Sequence, residues 1–184
     1  RPMSTSPTIR FAALFAGLLT KVGVYALLRS LVALLPATRD FLEPFIAAIA
    51  IATLILAPLG AIAETNLRRA MGFFVIGGIG AAIAGLAVPT MQGIAGALVY
   101  VVHSMLTMTA LYLVAGLIEK LTGETDTRRM GGIYAASSPL SIVFLVLILA
   151  VSGIPPFLGF WPKLLLIGAG LERTMVVGTG GAFV

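Results

Sequence analysis

The sequence contains no cysteine, a single histidine and few charged residues. Without cysteine the chain can form no disulfide, iron–sulfur cluster or thiolate metal site, and one histidine cannot form a histidine cluster. Charged residues make up 10% of the chain, against roughly 25% in soluble domains, which is too few to cover a water-facing surface. These absences exclude a soluble globular protein, and we expect no cofactor bound by this chain.

Apolar residues are what the sequence has instead. They make up 59% of the 184 residues, and the mean hydropathy is +1.10. The net charge of +5 could indicate nucleic-acid binding, but the basic residues stand singly or in pairs between apolar runs. That pattern is typical of loops on the two sides of a bilayer rather than of a basic face. We therefore expect a membrane protein whose surroundings are lipid, with no nucleic acid as a partner.

Four apolar runs have the length of about 20 residues that a helix needs to cross a bilayer. They lie near residues 9–35, 41–63, 70–88 and 93–118, separated by LLPATRD, ETNLRR and VPTMQG. The runs are continuous rather than alternating, which favours helices over a barrel. The sequence thus predicts an all-α, polytopic transmembrane helical bundle. Since the chain begins without methionine and stops within an apolar run, we expect residues 1–184 to be one transmembrane domain truncated at both ends.

A fifth apolar region, from Leu140 to Leu171, is interrupted by GIPPFLGFWPK. As one straight helix it would be about 48 Å long, against a hydrocarbon core of about 30 Å. Proline cannot continue a helix, whereas Gly153 suits a helix end and Pro162 suits the first turn of a new helix. We therefore predict a broken helix, with Lys163 near the start of its second half. The alternative is an ordinary loop with its lysine at the membrane interface.

Lys21 and His103 also lie inside apolar runs. Lys21 is eight residues from Arg29, about 12 Å along a helix, which is too deep for easy snorkelling. His103 forms a polar stripe with Tyr100 and Thr107, which follow at helical spacing. Lysine and histidine within a membrane span are typical of proton paths. The alternatives are a structural ion pair for the lysine and a packing hydrogen bond for the histidine.

Three long segments carry a resemblance to a known family. AGLLTKVGVYALLR, HSMLTMTALYLVAGLIEKLTGETDTRRMGG and SGIPPFLGFWPK resemble the antiporter-like membrane subunits shared by multisubunit Na⁺/H⁺ antiporters and respiratory complex I. Within that family, the three segments are most similar to the Mrp-type antiporters, which are also called Mnh or Pha. The resemblance implies a fold of about fourteen helices, with inverted repeats and broken helices, of which this chain would be a fragment.

The resemblance also implies a chain of protonatable residues along the membrane midplane. Lys21 matches the family's lysine on a broken helix of the first repeat, Lys163 matches its counterpart in the second, and His103 matches a polar position between them. Arg68 or Arg69 stands where relatives often have a further lysine. Because arginine hardly ever releases its proton, these two residues would tune the path electrostatically rather than relay protons.

We therefore expect a subunit of a secondary antiporter that exchanges Na⁺, or another monovalent cation, for protons. The resemblance implies other subunits of a hetero-oligomeric complex as partners, and a bacterial plasma membrane as the location. One alternative is a proton-pumping subunit of complex I or of a membrane-bound hydrogenase, itself without redox chemistry. The other is a passive scaffold in which the buried lysines pair with carboxylates of neighbouring helices.

Overall fold

A computed structural model of the protein describes residues 11, 14–34, 36–88 and 90–180, without the side chains of 16, 36–40 and 173–180. These ranges are helical between their loops and contain no β-strand; an isolated bridge pairs Asn66 with Asp126. The prediction of an all-α bundle is confirmed. The predicted domain of residues 1–184 extends beyond the described ranges at both ends.

The described helices, in chain order, are α1 (Thr20–Arg29), α2 (Pro36–Ala63), α3 (Leu67–Ala87), α4 (Met91–Thr122), α5 (Ile133–Ala136), α6 (Ser138–Ser152) and α7 (Phe160–Gly180). Two π-helical turns, Phe15–Leu19 and Ser30–Leu34, extend α1 at its two ends. Because no proline lies between Gly17 and Arg29, the chain stays helical through this region. The break that the family resemblance implied beside Lys21 is therefore wrong.

Four of the described helical segments are long and apolar enough to cross a membrane: Gly17–Leu34, Phe41–Ala63, Leu67–Ala87 and Met91–Thr122. They correspond to the four predicted runs. The boundary between the first two runs differs from the prediction, since α2 already begins at Pro36, within the segment expected to be a loop. Proline suits the first turn of a helix, where its missing N–H would have no partner. The protein is thus a multi-pass membrane protein.

α4 is the central helix of the described bundle. It packs against α3, α6, α7 and the π-helical turn Phe15–Leu19. Gly17 of that turn lies so close to the Thr109 side chain that a methyl group at Gly17 would overlap it. On the other side, Met71 of α3 and Met108 and Leu111 of α4 form a fully buried core. Close packing through small residues is the usual way in which helices associate in lipid.

The predicted break in the fifth apolar region is confirmed. α6 ends at Ser152 and α7 begins at Phe160. Gly153 ends α6 in the left-handed conformation, with φ of 77°, and its N–H bonds back to the Leu149 and Ala150 carbonyls. Glycine adopts this conformation without the steric cost of a Cβ. The break places the end of α6 beside the start of α7.

Candidate functional site

Lys21 is fully buried, with 0% of its surface exposed, on the face of α1 that points into the bundle. Its Nζ makes no hydrogen bond within the part of the chain that the structure describes. Nζ ends beside Gly78 of α3, close to the Tyr100 hydroxyl of α4. A lysine at this depth therefore points toward a junction of three helices rather than toward the membrane surface.

Lys163 lies in the first turn of α7, as the sequence predicted. Its Nζ donates hydrogen bonds to the carbonyl oxygens of Val151, at 2.8 Å, and Ser152, at 2.7 Å. The last carbonyls of a helix have no partner within it and carry the negative end of the helix dipole. The broken helix thus supplies acceptors for the lysine that follows it, while one of the three ammonium N–H groups remains for a further partner.

Gly153 allows this arrangement. A methyl group at this position would lie 2.7 Å from Cδ of Lys163 and 3.1 Å from its Nζ, in addition to straining the left-handed backbone. Gly153 therefore has two roles, since it ends α6 and leaves space for the lysine side chain.

A cavity of about 220 Å³ lies between α2, α3, α4, α6 and α7. Its polar lining comes from Tyr100, Ser152 and Lys163, and Gly78 forms part of its wall beside Lys21. Apolar side chains of α2, α3 and α6 complete the wall. A water molecule takes up about 30 Å³ of liquid, so the cavity has room for several waters next to these polar groups.

His103 does not lie between the two lysines. Its ring is half-buried, and Nε2 faces Gly159 in the break. The ring lines a groove on the outer side of α6, with Ala150 and Trp161, whereas Tyr100 lines the cavity on the other side of that helix. Lys163 is within electrostatic reach of His103. The polar stripe of α4 is therefore divided by α6, and His103 lies beyond Lys163.

Thr107 supports His103 within the stripe. Its hydroxyl donates to the His103 backbone carbonyl at 2.8 Å and lies 3.4 Å from Nδ1 of the ring. The Tyr100 and His103 rings meet edge to face, with centroids 6.5 Å apart. The histidine is thus held by its own helix while its Nε2 remains directed at the break.

Arg68 and Arg69 lie at the start of α3, where the Asn66 side chain accepts hydrogen bonds from both backbone N–H groups. The Arg68 side chain forms an ion pair with Glu119 at 2.5 Å, whereas Arg69 is exposed. Ten residues of helix, about 15 Å, separate Arg68 from Gly78. Arg68 ties the start of α3 to the end of α4, and its predicted tuning role would have to act over that distance.

Some parts of this site have no clear signal in the sequence. Gly78 is one of several glycines in an apolar helix, and the Val151 and Ser152 carbonyls are backbone groups that any residue would supply. Tyr100 was visible only as part of the polar stripe. Within the described ranges, no three histidine, aspartate or glutamate side chains come together as a metal site.

Comparison with known proteins identifies the family. A family model described as "NADH:quinone oxidoreductase/Mrp antiporter, TM" matches residues 2–183. The chain belongs to this family. Among curated relatives, it is 35% identical over 161 residues to a Na(+)/H(+) antiporter subunit of Alkalihalophilus pseudofirmus, covering 88% of this chain and 33% of the relative. It is 34% identical over 167 residues to a Staphylococcus aureus protein provisionally named antiporter subunit mnhD2, covering 91% and 34%.

The family membership predicted from the three sequence segments is confirmed. The chain spans about a third of the length of the curated relatives that it matches. Within this NADH:quinone oxidoreductase/Mrp antiporter family, the described residues include both lysines, the histidine and the helix break on which the resemblance depended.

Proposed function

We propose that the chain is part of a subunit of a multisubunit antiporter that exchanges Na⁺, or another monovalent cation, for protons. The names of the relatives support an antiporter subunit. The other subunits of the complex would be its partners, and the plasma membrane of a bacterium its location.

We propose further that Lys21, Lys163 and His103 carry protons along the bundle. The observation that carries this proposal is the cavity, which joins the surroundings of the fully buried Lys21 to Lys163. A charge at such depth is expensive unless it faces protein polar groups or water, and residues of this kind are typical of proton relays. In this arrangement the order is Lys21, the cavity, Lys163 and then His103.

The ligands of the lysines argue against the scaffold hypothesis. Within the described ranges, neither Lys21 nor Lys163 pairs with a carboxylate, and the ion pair found there joins Arg68 to Glu119. A lysine retained for a structural ion pair would need such a partner. Lys163 instead uses backbone carbonyls, which leave its proton exchangeable.

The family also includes subunits of NADH:quinone oxidoreductase, and the proposed lysine path would serve either complex. The two functions differ in what drives the protons. Everted membrane vesicles containing the complete complex should lose a respiration-generated pH gradient when Na⁺, K⁺ or Li⁺ is added, and vesicles lacking this subunit should keep it. A gradient that no cation collapses, together with a loss of NADH:quinone activity on deletion of the subunit, would overturn the antiporter proposal.

A further inference from the structure

The fully buried Nζ of Lys21 requires an additional interaction. Transfer of an unpaired ammonium group out of water is so costly that buried lysines are paired, hydrogen-bonded or hydrated. Nζ has no hydrogen-bond partner among the described residues. The surroundings of this atom should therefore show how it communicates with the rest of the bundle.

Those surroundings are formed by Gly78 and Tyr100. A methyl group placed on Gly78 would lie 3.3 Å from Nζ of Lys21 and 3.3 Å from the Tyr100 hydroxyl oxygen. The two polar atoms are thus separated by no more than twice that distance, yet they form no direct hydrogen bond. A gap of this size between two polar groups is one that bridging water spans.

Tyr100 reaches both sides of this junction. Its hydroxyl faces Gly78 and Lys21, and the residue also lines the cavity that contains Lys163. Only 6% of its surface is exposed, so the phenol is held in place by packing. A tyrosine hydroxyl can donate one hydrogen bond and accept another at the same time. Tyr100 therefore has the position and the chemistry to connect Lys21 with the cavity.

We infer that Tyr100 is a proton-relay residue between Lys21 and Lys163, and that Gly78 keeps open the space through which water joins them. This inference rests on the proposed function. In one transfer, an N–H bond of the Lys21 ammonium breaks and the proton passes through water to the Tyr100 oxygen. The Tyr100 O–H proton leaves for water in the cavity, so the lysine becomes neutral and the tyrosine ends as it began.

The first test removes only the hydroxyl. Tyr100→Phe keeps the ring and its packing, so the complex should assemble normally while cation-driven proton exchange falls at least about tenfold, since a positioned proton-transfer group contributes that much or more. The matched control is Tyr112→Phe on the same helix, whose hydroxyl lies near Gly72, away from the cavity lining. We expect the control to exchange at the unsubstituted rate.

The second test closes the space. Gly78→Ala places a methyl group 3.3 Å from both polar atoms, whereas Gly72→Ala meets only the Tyr112 hydroxyl, at an ordinary 3.7 Å. Gly78→Ala should lower exchange and Gly72→Ala should not. If both changes at the junction interrupt one connection, the double variant Gly78→Ala/Tyr100→Phe should lose no more than the more impaired single variant. Two merely structural defects would add.

The outcomes separate this inference from the proposed function. Loss of exchange in Lys21→Ala together with normal exchange in Tyr100→Phe would overturn the role of Tyr100 and leave the lysine path intact. Normal exchange in Lys21→Ala would overturn the path itself. Additive losses in the double variant would assign Tyr100 and Gly78 to packing and would also overturn the inference.

Discussion

At the scale of single residues, the site depends on a glycine as much as on the lysines. Gly153 combines a left-handed backbone with close contact to Lys163. Gly123 at the end of α4 has the same backbone conformation, φ of 72°, but nothing lies within 4 Å of a methyl group placed there. The pair separates backbone strain from the effect on the lysine.

We predict that Gly153→Ala and Gly123→Ala each destabilise the protein by about 1–2 kcal/mol, the cost of a left-handed non-glycine residue. Only Gly153→Ala should also reduce exchange, because its methyl group displaces Lys163 from the Val151 and Ser152 carbonyls. Thermal unfolding of the purified complex measures the first effect, and exchange in vesicles measures the second. Equal exchange in the two variants would contradict this account of Gly153.

Arg68 permits a second prediction at the residue scale. Arg68→Ala leaves the Glu119 carboxylate, which is 9% exposed, without its partner. Because an unpaired buried group costs about 1–3 kcal/mol, the variant should unfold at lower temperature, and Glu119→Gln in the same background should recover part of the loss. Arg69→Ala, at an exposed position, serves as the control. No change in the unfolding temperature of Arg68→Ala would refute a structural role for this ion pair.

At the scale of helices, the sequence predicted what depends on length and on proline. The four spans and the break after Ser152 follow from apolar runs and from GIPPFLGFWPK. The extent of α2 and the unbroken path through Lys21 were not predicted, because proline can start a helix and a π-helical turn leaves no distinct sequence signal. The stripe of Tyr100, His103 and Thr107 was visible, but its division between cavity and groove depends on where α6 packs.

The π-helical turn before Lys21 gives a prediction at this scale. Gly17→Ala would overlap the Thr109 side chain and push Phe15–Leu19 away from α4, moving the nearby Lys21. Exchange should fall, and Thr109→Ala should partly restore it by removing the hydroxyl that the new methyl group meets. Gly23→Ala, where nothing lies within 4 Å, should exchange normally. Failure of the Thr109 change to restore any exchange would argue against this steric mechanism.

At the scale of the whole molecule, the path through the described residues is continuous only as a set of elements. α1 carries Lys21, α4 carries Tyr100 and His103, and the broken α6–α7 pair supplies Lys163 together with its carbonyl acceptors. Which helices enclose the cavity could not be read from the sequence, since it is a property of packing. The two lysines, by contrast, were identifiable from their cost inside apolar runs.

The central claim is that Lys21 and Lys163 both carry the transported proton. The most direct measurement is Na⁺-triggered collapse of the pH gradient in everted vesicles, with assembly of the complex verified, for Lys21→Ala, Lys163→Ala and the exposed control Lys120→Ala. The account predicts that the first two variants lose exchange while the control keeps it. Exchange at the unsubstituted rate in an assembled Lys21→Ala or Lys163→Ala complex would contradict it.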